Sequence, residues 1–303
     1  MRVAPLLVLA VAACCAAAAN AAPQYAYLQS WTIPPHQNAY DIVIGADGLA
    51  YVSGGFSSLK KFDTSGNALG TIGAGLGGGP TFAARDAAGN FYVSDPFNNR
   101  VVKFGPDGSL ITTWGSLGSG NGQFRDAQGI AVDNAQNVYV SDGINNRVQK
   151  FDSNGNYLTQ WATPDSPWEI AIGPVNQHVY LANYAAVRVY DGDGNLLSTW
   201  SSGGLGPFDF VVSIATDAQG NVYVSEGALG VIDVFDADGN FQGLIGTNGV
   251  DPGQFFFNFG MTFDAQGNLY VADRDNHRID KFVPSEPTSA QSTSWGRLKS
   301  LYR

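Results

Sequence analysis

From about residue 25 onward the chain is built of short runs in which apolar and polar residues alternate, such as Val101-Val102-Lys103-Phe104, Val148-Gln149-Lys150-Phe151, Val187-Arg188-Val189-Tyr190 and Ile232-Asp233-Val234-Phe235. A period of two in Val, Ile, Tyr and Phe, bounded by Gly, Asn and Asp, predicts half-buried β-strands, and no stretch of this region carries a long helical period. Tyr-Val, once Tyr-Leu, recurs six times, at Tyr51-Val52, Tyr92-Val93, Tyr139-Val140, Tyr180-Leu181, Tyr223-Val224 and Tyr270-Val271. The intervals of 41, 47, 41, 43 and 47 residues fall where a sequence period signals a propeller or solenoid.

Each repeat reads as four strands. An apolar strand a (Ile130-Ala131-Val132, Ile214-Ala215-Thr216) leads through a polar turn (Asp217-Ala218-Gln219-Gly220-Asn221) to the Tyr-Val strand b. The alternating run above is strand c, and a second glycine turn (Ser153-Asn154-Gly155-Asn156) leads to strand d, which ends in Trp114, Trp161 or Trp200. Four-stranded meanders with two apolar faces cannot stand alone and must stack into a ring. The last repeat stops after its strand c at Ile279-Asp280-Lys281-Phe282, while Tyr27-Leu28-Gln29-Ser30-Trp31 matches the strand d text of the others. The expected fold is therefore all-β: a six-bladed propeller of four-stranded antiparallel blades over residues 22–283, the last blade closed by the N-terminal strand.

Repeat 3 carries Gly122-Gln123-Phe124, Gly129-Ile130-Ala131-Val132-Asp133, Val138-Tyr139-Val140-Ser141-Asp142 and Asn145-Asn146-Arg147-Val148-Gln149-Lys150-Phe151. This text resembles an NHL repeat, and repeats 2 and 6 match it through Asp95, Asn98-Asn99-Arg100 and Asp273, Asn276-His277-Arg278. Repeats 1, 4 and 5 keep the strands and lose the Asn-x-Arg element. The resemblance implies the propeller fold; it does not choose a function, since such propellers serve as enzymes, RNA binders and interaction platforms. Because Asp95 with Arg100, Asp142 with Arg147 and Asp273 with Arg278 recur in three blades, each pair is expected to fork together and hold the loop between strands b and c.

The chain ends point outside the cytoplasm. Arg2 followed by the apolar run Val3 to Ala19 and the small-residue site Ala19-Asn20-Ala21 reads as a signal peptide over 1–21, leaving a secreted, periplasmic or cell-surface protein at a bacterial-type envelope. Val11-Ala12-Ala13-Cys14 offers a lipoprotein anchor at Cys14 as the lesser alternative. Both cysteines, Cys14 and Cys15, lie in this leader, so the mature domain has no thiol chemistry. Residues 284–293 have Ser/Thr/Pro linker composition, and the basic, aromatic tail 294–303 reads as a frayed end, with a sorting or docking tag as its functional rival. The formal net charge is −10, which argues against nucleic acid as a partner because phosphates require cationic neutralisation.

Candidate chemistry is sparse. His36, His178 and His277 occupy unrelated blade positions, without the spacing of a zinc site. Asp41 and Glu169 begin strand a in repeats 1 and 4 and, with Asn38, are placed to hold at most a single channel cation such as calcium; no cofactor is expected. Asp191-Gly192-Asp193-Gly194-Asn195 looks like the start of a calcium loop, but it is one of the recurring turns and has Ser202 where a closing Glu would be needed. The Gly-rich run 73–79 joins two strands and precedes no helix, so it is no phosphate loop.

The loops expected to surround the channel mouth carry Phe56, Phe97, Trp168, Tyr184, Phe208, Phe210 and Phe257, with Asp41 and Glu169 nearby. Aromatics beside carboxylates suit a protein, peptide or glycan ligand. The sequence thus favours a monomeric, non-catalytic binding module without a transmembrane span. A propeller hydrolase or lyase, metal-dependent and lactonase-like, is the alternative. Intact-mass spectrometry of the protein exported by a bacterial host should give a mature chain starting at Ala22, whereas a lipid-modified Cys14 would identify the anchored form.

Overall fold

A computed structural model of the chain describes residues 24–33, 38–54, 57–73, 76 and 82–285. The leader with Cys14, His36, Phe56, most of the Gly-rich run and the tail 294–303 lie outside the described residues. Six antiparallel four-stranded sheets follow one another as blades. Blade 1 comprises Ala39–Ile44, Ala50–Gly54, Leu59–Phe62 and Ala68–Ile72, and blade 2 Ala83–Arg85, Phe91–Asp95, Arg100–Phe104 and Leu110–Trp114. Blade 3 comprises Ala127–Val132, Val138–Asp142, Arg147–Phe151 and Tyr157–Ala162. Blade 4 comprises Ile170–Ile172, Val179–Asn183, Ala186–Tyr190 and Leu196–Trp200, and blade 5 Val211–Thr216, Val222–Glu226, Val231–Phe235 and Phe241–Ile245.

Blade 6 takes Asn258–Phe263, Leu269–Asp273 and Arg278–Ser285 from the end of the chain and Gln24–Thr32 from its beginning. The N-terminal strand pairs antiparallel with strand c from Thr32↔Arg278 to Gln24↔Ser285. That pairing carries strand c to Ser285, two residues into the stretch whose composition reads as linker, because Gln24 and Tyr25 extend the partner strand alongside it.

Six core clusters form, and each lies between two consecutive blades. Val43, Tyr51 and Leu59 of blade 1 meet Phe91, Val93 and Phe104 of blade 2; Trp31, Tyr270 and Ile279 of blade 6 meet Ile42, Val52 and Phe62 of blade 1. The tyrosine of every Tyr-Val or Tyr-Leu dipeptide is at most 1% exposed and faces the next blade. Its hydroxyl reaches the turn between strands a and b, donating to Asp47, Asp86, Asp133, Asp217 and Asp264 at 2.8–3.1 Å in five blades. In blade 4 Tyr180 instead accepts from Asn176 at 2.9 Å. A lysine of strand c lies over the same ring in blades 1, 2, 3 and 6, 4.9–5.2 Å from its centre.

The tryptophans of strand d make the second inter-blade contact. Trp31, Trp114, Trp161 and Trp200 are each covered by a glycine in the next blade's turn between strands c and d: Gly66, Gly155, Gly194 and Gly239. These glycines have φ of 86–89° and sit so close to the indole that a Cβ would overlap it, so both the backbone conformation and the space demand glycine.

Trp31 therefore performs for blades 6 and 1 what the internal tryptophans do elsewhere. Trp31→Ala should cost about 3–5 kcal/mol, and a chain lacking residues 24–32 should lose its single cooperative transition in calorimetry because blade 6 then presents an open edge.

Candidate functional site

Strand a of each blade lines a central channel of about 290 Å³. Its inner edge has no further strand to pair with, so backbone N–H groups point inward and must find other acceptors. At one end, the residue opening the channel-lining run of strand a differs in every blade except two: Asp41, Phe82, Gly129, Glu169, Ser213 and Gly260. Asp41 Oδ2 accepts from the Ala83 N–H at 2.9 Å, and Glu169 Oε2 accepts from the Ile214 N–H at 3.2 Å. Each carboxyl thus satisfies the free edge of the blade that follows its own.

Both groups are buried, 4% and 6% exposed, and no cation pairs with either among the described residues. Burial pushes Asp41 up to about 7, against the N–H bonds that favour its charged form. Burial and then the nearby Asp41 charge push Glu169 well above the usual carboxylate range. They belong to blades 1 and 4, opposite one another in a six-fold ring, and Glu169 feels the field of Asp41. Among the described residues no three His, Cys, Asp or Glu side chains converge as metal ligands.

Above this ring runs an arc of aromatic side chains. Trp168 lies 5.7 Å from Tyr184, Tyr184 4.8 Å from Phe210, Phe210 5.4 Å from Phe257, Phe257 5.5 Å from Phe259 and Phe259 5.3 Å from Tyr40, between ring centres. Phe82 abuts Trp168 edge-on at 6.4 Å. The Arg274 guanidinium stacks over Tyr40, Phe257 and Phe259 at 5.2–5.5 Å, a cation–π arrangement. Phe210 and Phe257 hold φ of 62° and 66°, left-handed values rare for a bulky residue.

Of the residues expected at the mouth, Asp41, Trp168, Glu169, Tyr184, Phe210 and Phe257 come together. Phe97 is 74% exposed on the turn Pro96–Asn98 and makes none of the ring contacts of the arc. Phe208 is not a mouth residue: it is buried against Phe235, 6.0 Å between rings, in the core shared by blades 4 and 5. Placement one residue short of the turn into strand a points it between the blades.

Tyr40, Phe259 and Arg274 were not picked out from the sequence. A positional signal existed: Tyr40 and Phe259 precede Asp41 and Gly260 as Trp168 precedes Glu169, and Arg274 follows strand b as Tyr184 does.

The Asp–Arg pairs form, and in blades 3 and 6 the arginine also reaches beyond its own loop. Arg100, Arg147 and Arg278 each use Nε to reach Asp95, Asp142 or Asp273, at 2.9, 2.7 and 3.0 Å. Arg278 also brings Nη2 to the same Asp273 oxygen, at 3.0 Å. The terminal nitrogens of Arg147 donate to the carbonyls of Ser119, Gly120 and Gln123, and those of Arg278 to Val250, Asp251 and Gln254. The arginine therefore pins the loop arriving from the preceding blade, while the aspartate anchors the strand it leads into by accepting from the N–H of Arg125 or Phe256.

The comparisons agree with this architecture. The NHL repeat family matches residues 124–151 and 260–282. The chain is a six-bladed β-propeller with NHL repeats at these two positions. Virginiamycin B lyase from Staphylococcus aureus superposes on this ring with a TM-score of 0.63 at 11% identity, over 86% of this chain and 99% of that one. A streptogramin B lyase does so with a TM-score of 0.62 at 14% identity, over 86% and 98%. A Bacteroides thetaiotaomicron protein of unknown function gives 0.67 at 15% identity, over 86% and 72%. At these identities the likeness is one of fold. No curated protein matches the sequence. No helix among the described residues is long and apolar enough to cross a membrane.

The buried carboxyls set the pH dependence of the ring. Asp41, Glu169, Glu226, Asp233, Asp273 and Asp280 are all raised in the fold, with burial the largest cause, to about 7 for Asp41 and Asp280 and about 8 for Glu226. Their contribution is complete below the ordinary carboxylate pKa and is lost as pH rises through these values. The turn carboxylates Asp63, Asp107, Asp152 and Asp191 are lowered by hydrogen bonds, and their contribution is lost only as pH falls through those lowered values. Thermal melts should therefore peak near pH ~5 and drop by about 4–8 °C toward pH ~9, with Asp41→Asn flattening part of that slope.

Proposed function

We propose that this NHL propeller is a binding module of the bacterial cell envelope or its exterior, and that its ligand, a peptide, glycan or protein segment, engages the aromatic mouth. The arc from Trp168 through Tyr184, Phe210, Phe257 and Phe259 to Tyr40 carries this reading. Partly exposed rings packed against one another lose little side-chain entropy on binding, Phe259 is buried beneath them, and Tyr184, 43% exposed, is open to a partner. Asp41 and Glu169 beneath the arc supply polar ends that fix orientation. The channel-mouth residues are also where the blades differ from one another, whereas the repeated residues are occupied in holding the ring. The leader-like run from Arg2 to Ala21 supports a location outside the cytoplasm, and a net charge of −10 disfavours nucleic acid.

A lyase or hydrolase is the second reading. The specific observation in its favour is the pair Asp41 and Glu169, two carboxyls with raised proton affinity in one channel, a combination that suits general acid–base work. The shared fold with the two lyases adds context without assigning a reaction.

Peptide and glycan arrays probed with the purified ring should give ligands whose affinity falls about 10–100-fold in Tyr184→Ala and Phe210→Ala, with melting temperature little changed. Incubation with virginiamycin B or quinupristin, or with an ester and lactone panel, should leave them intact. Turnover abolished by both Asp41→Asn and Glu169→Gln would replace the binding reading with the catalytic one.

A further inference from the structure

Blade 5 departs from the pattern by which blades 3 and 6 fasten their incoming loops. In those blades a buried aspartate at the end of strand b, Asp142 or Asp273, meets an arginine at the start of strand c, and the residue two places on is Gln149 or Asp280. Blade 5 has Glu226 and Asp233 at the first and third of these positions and Val231 where the arginine would be. Both carboxyls are 0% exposed. Glu226 Oε2 accepts from the Asp209 N–H at 2.8 Å, the counterpart of the Arg125 and Phe256 bonds in blades 3 and 6. Asp233 Oδ1 accepts from the Gly204 N–H at 2.6 Å.

The other two oxygens, Glu226 Oε1 and Asp233 Oδ2, are buried and have no donor from any other group among the described residues. The elements packed around them offer none. Hairpin Ser202–Gly203 and Gly206–Pro207 has no charged residue, and Gly203 sits so close to the Asp233 carboxyl that a Cβ would overlap it. Ser225 donates to the Asn258 carbonyl, and the Asn258 amide donates to the Val231 carbonyl. Ser213, on strand a, is neutral. Asp209 is the remaining charged group whose field reaches Glu226, and it is negative. Two ionised carboxylates without a cation cannot lie together in such a place, whereas one proton between them removes the conflict.

We propose that Glu226 and Asp233 share a single proton and form a pH-operated latch that holds segment 202–210, and with it Phe210, in the channel mouth. Both fastening N–H groups, Gly204 and Asp209, belong to that segment. It ends at Phe210, whose left-handed backbone is held by the Gly227 N–H donating to its carbonyl at 3.2 Å, and whose ring joins Tyr184 and Phe257. When the shared proton leaves to solvent, both carboxyls are charged, one must move to water, and the N–H bonds to the segment go with it. Burial and the contact with Asp233 push Glu226 up to about 8, so the latch is closed at neutral pH and opens in mildly alkaline solution. Nothing in this device depends on what the mouth binds.

NMR amide exchange from pH ~6 to ~9.5, corrected for intrinsic rates, tests it. Protection of the Gly204 and Asp209 amides should fall about tenfold per pH unit above the titration of the pair. The loop that Arg147 holds, followed at Gly118 and Phe124, should keep its protection over the same range. In Glu226→Gln the side-chain amide can donate to Asp233 permanently, so protection of Gly204 and Asp209 should persist at pH ~9.5. Level wild-type protection, parallel loss in the Arg147 loop, or a Glu226→Gln chain that opens with the wild-type midpoint would each overturn the latch. Should that variant not fold, the wild-type comparison between the two loops decides alone.

Discussion

A blade of four strands has two apolar faces and nothing of its own to cover them, so every blade must be covered by its neighbours, and that requirement shapes the whole molecule. The six core clusters lie between blades and none is interior to a single one. Removal of any one interface would expose two faces at once. The closing interface, where Trp31 lies beneath Gly66 and beside Tyr270, therefore has a cost of failure shared by the ring, although it is chemically the same as the internal ones.

The same requirement sorts the residues into scaffold and variable positions. Tyrosine in strand b, the acid or amide of the turn between strands a and b, and tryptophan in strand d are committed to neighbouring blades. Among the residues that open the channel-lining run of strand a, Phe82 stays in the core between blades 2 and 3, whereas Asp41 and Glu169 are released from that duty and look into the channel. Asp41 and Glu169 partly retain a structural task, each accepting an N–H from the following blade's unpaired edge. Their raised proton affinity is the consequence of performing it while buried. Structural need and chemical potential thus coincide at one pair of side chains.

Loop fastening shows how one task is met by different chemistry. Blades 3 and 6 use a guanidinium that ties a carboxylate to three carbonyls of the incoming loop, and losing one partner of such a buried pair costs about 3–5 kcal/mol. Blade 5 has Val231 in place of the arginine and a shorter incoming hairpin, and a second carboxyl, Asp233, takes over part of the fastening. Charge balance then passes from a fixed cation to an exchangeable proton. The strained Phe210 lies at the end of the segment so held, which joins a local electrostatic substitution to the shape of the aromatic arc.

Local sequence was sufficient for the strands, their order and the ring, because each follows from period-two patterning, turn glycines and a text repeated six times. The unmatched strand at each end of that text even specified how the ring closes. What the repeat could not convey was which side chains from different blades meet. Phe208 and Phe210 are two residues apart and read alike, yet one enters the core beside Phe235 and the other joins the mouth, since Phe210 itself takes a left-handed backbone where the chain turns into strand a. Arg278 was legible as a partner of Asp273, but its three carbonyl contacts come from residues 24 to 28 positions away. Tyr40, Phe259 and Arg274 form one cluster from opposite ends of the chain. Periodicity reports what neighbouring residues do to their own strand, and so the sequence alone determined the ring; contacts made around a closed circle have no sequence period, and only the tertiary structure decided the mouth.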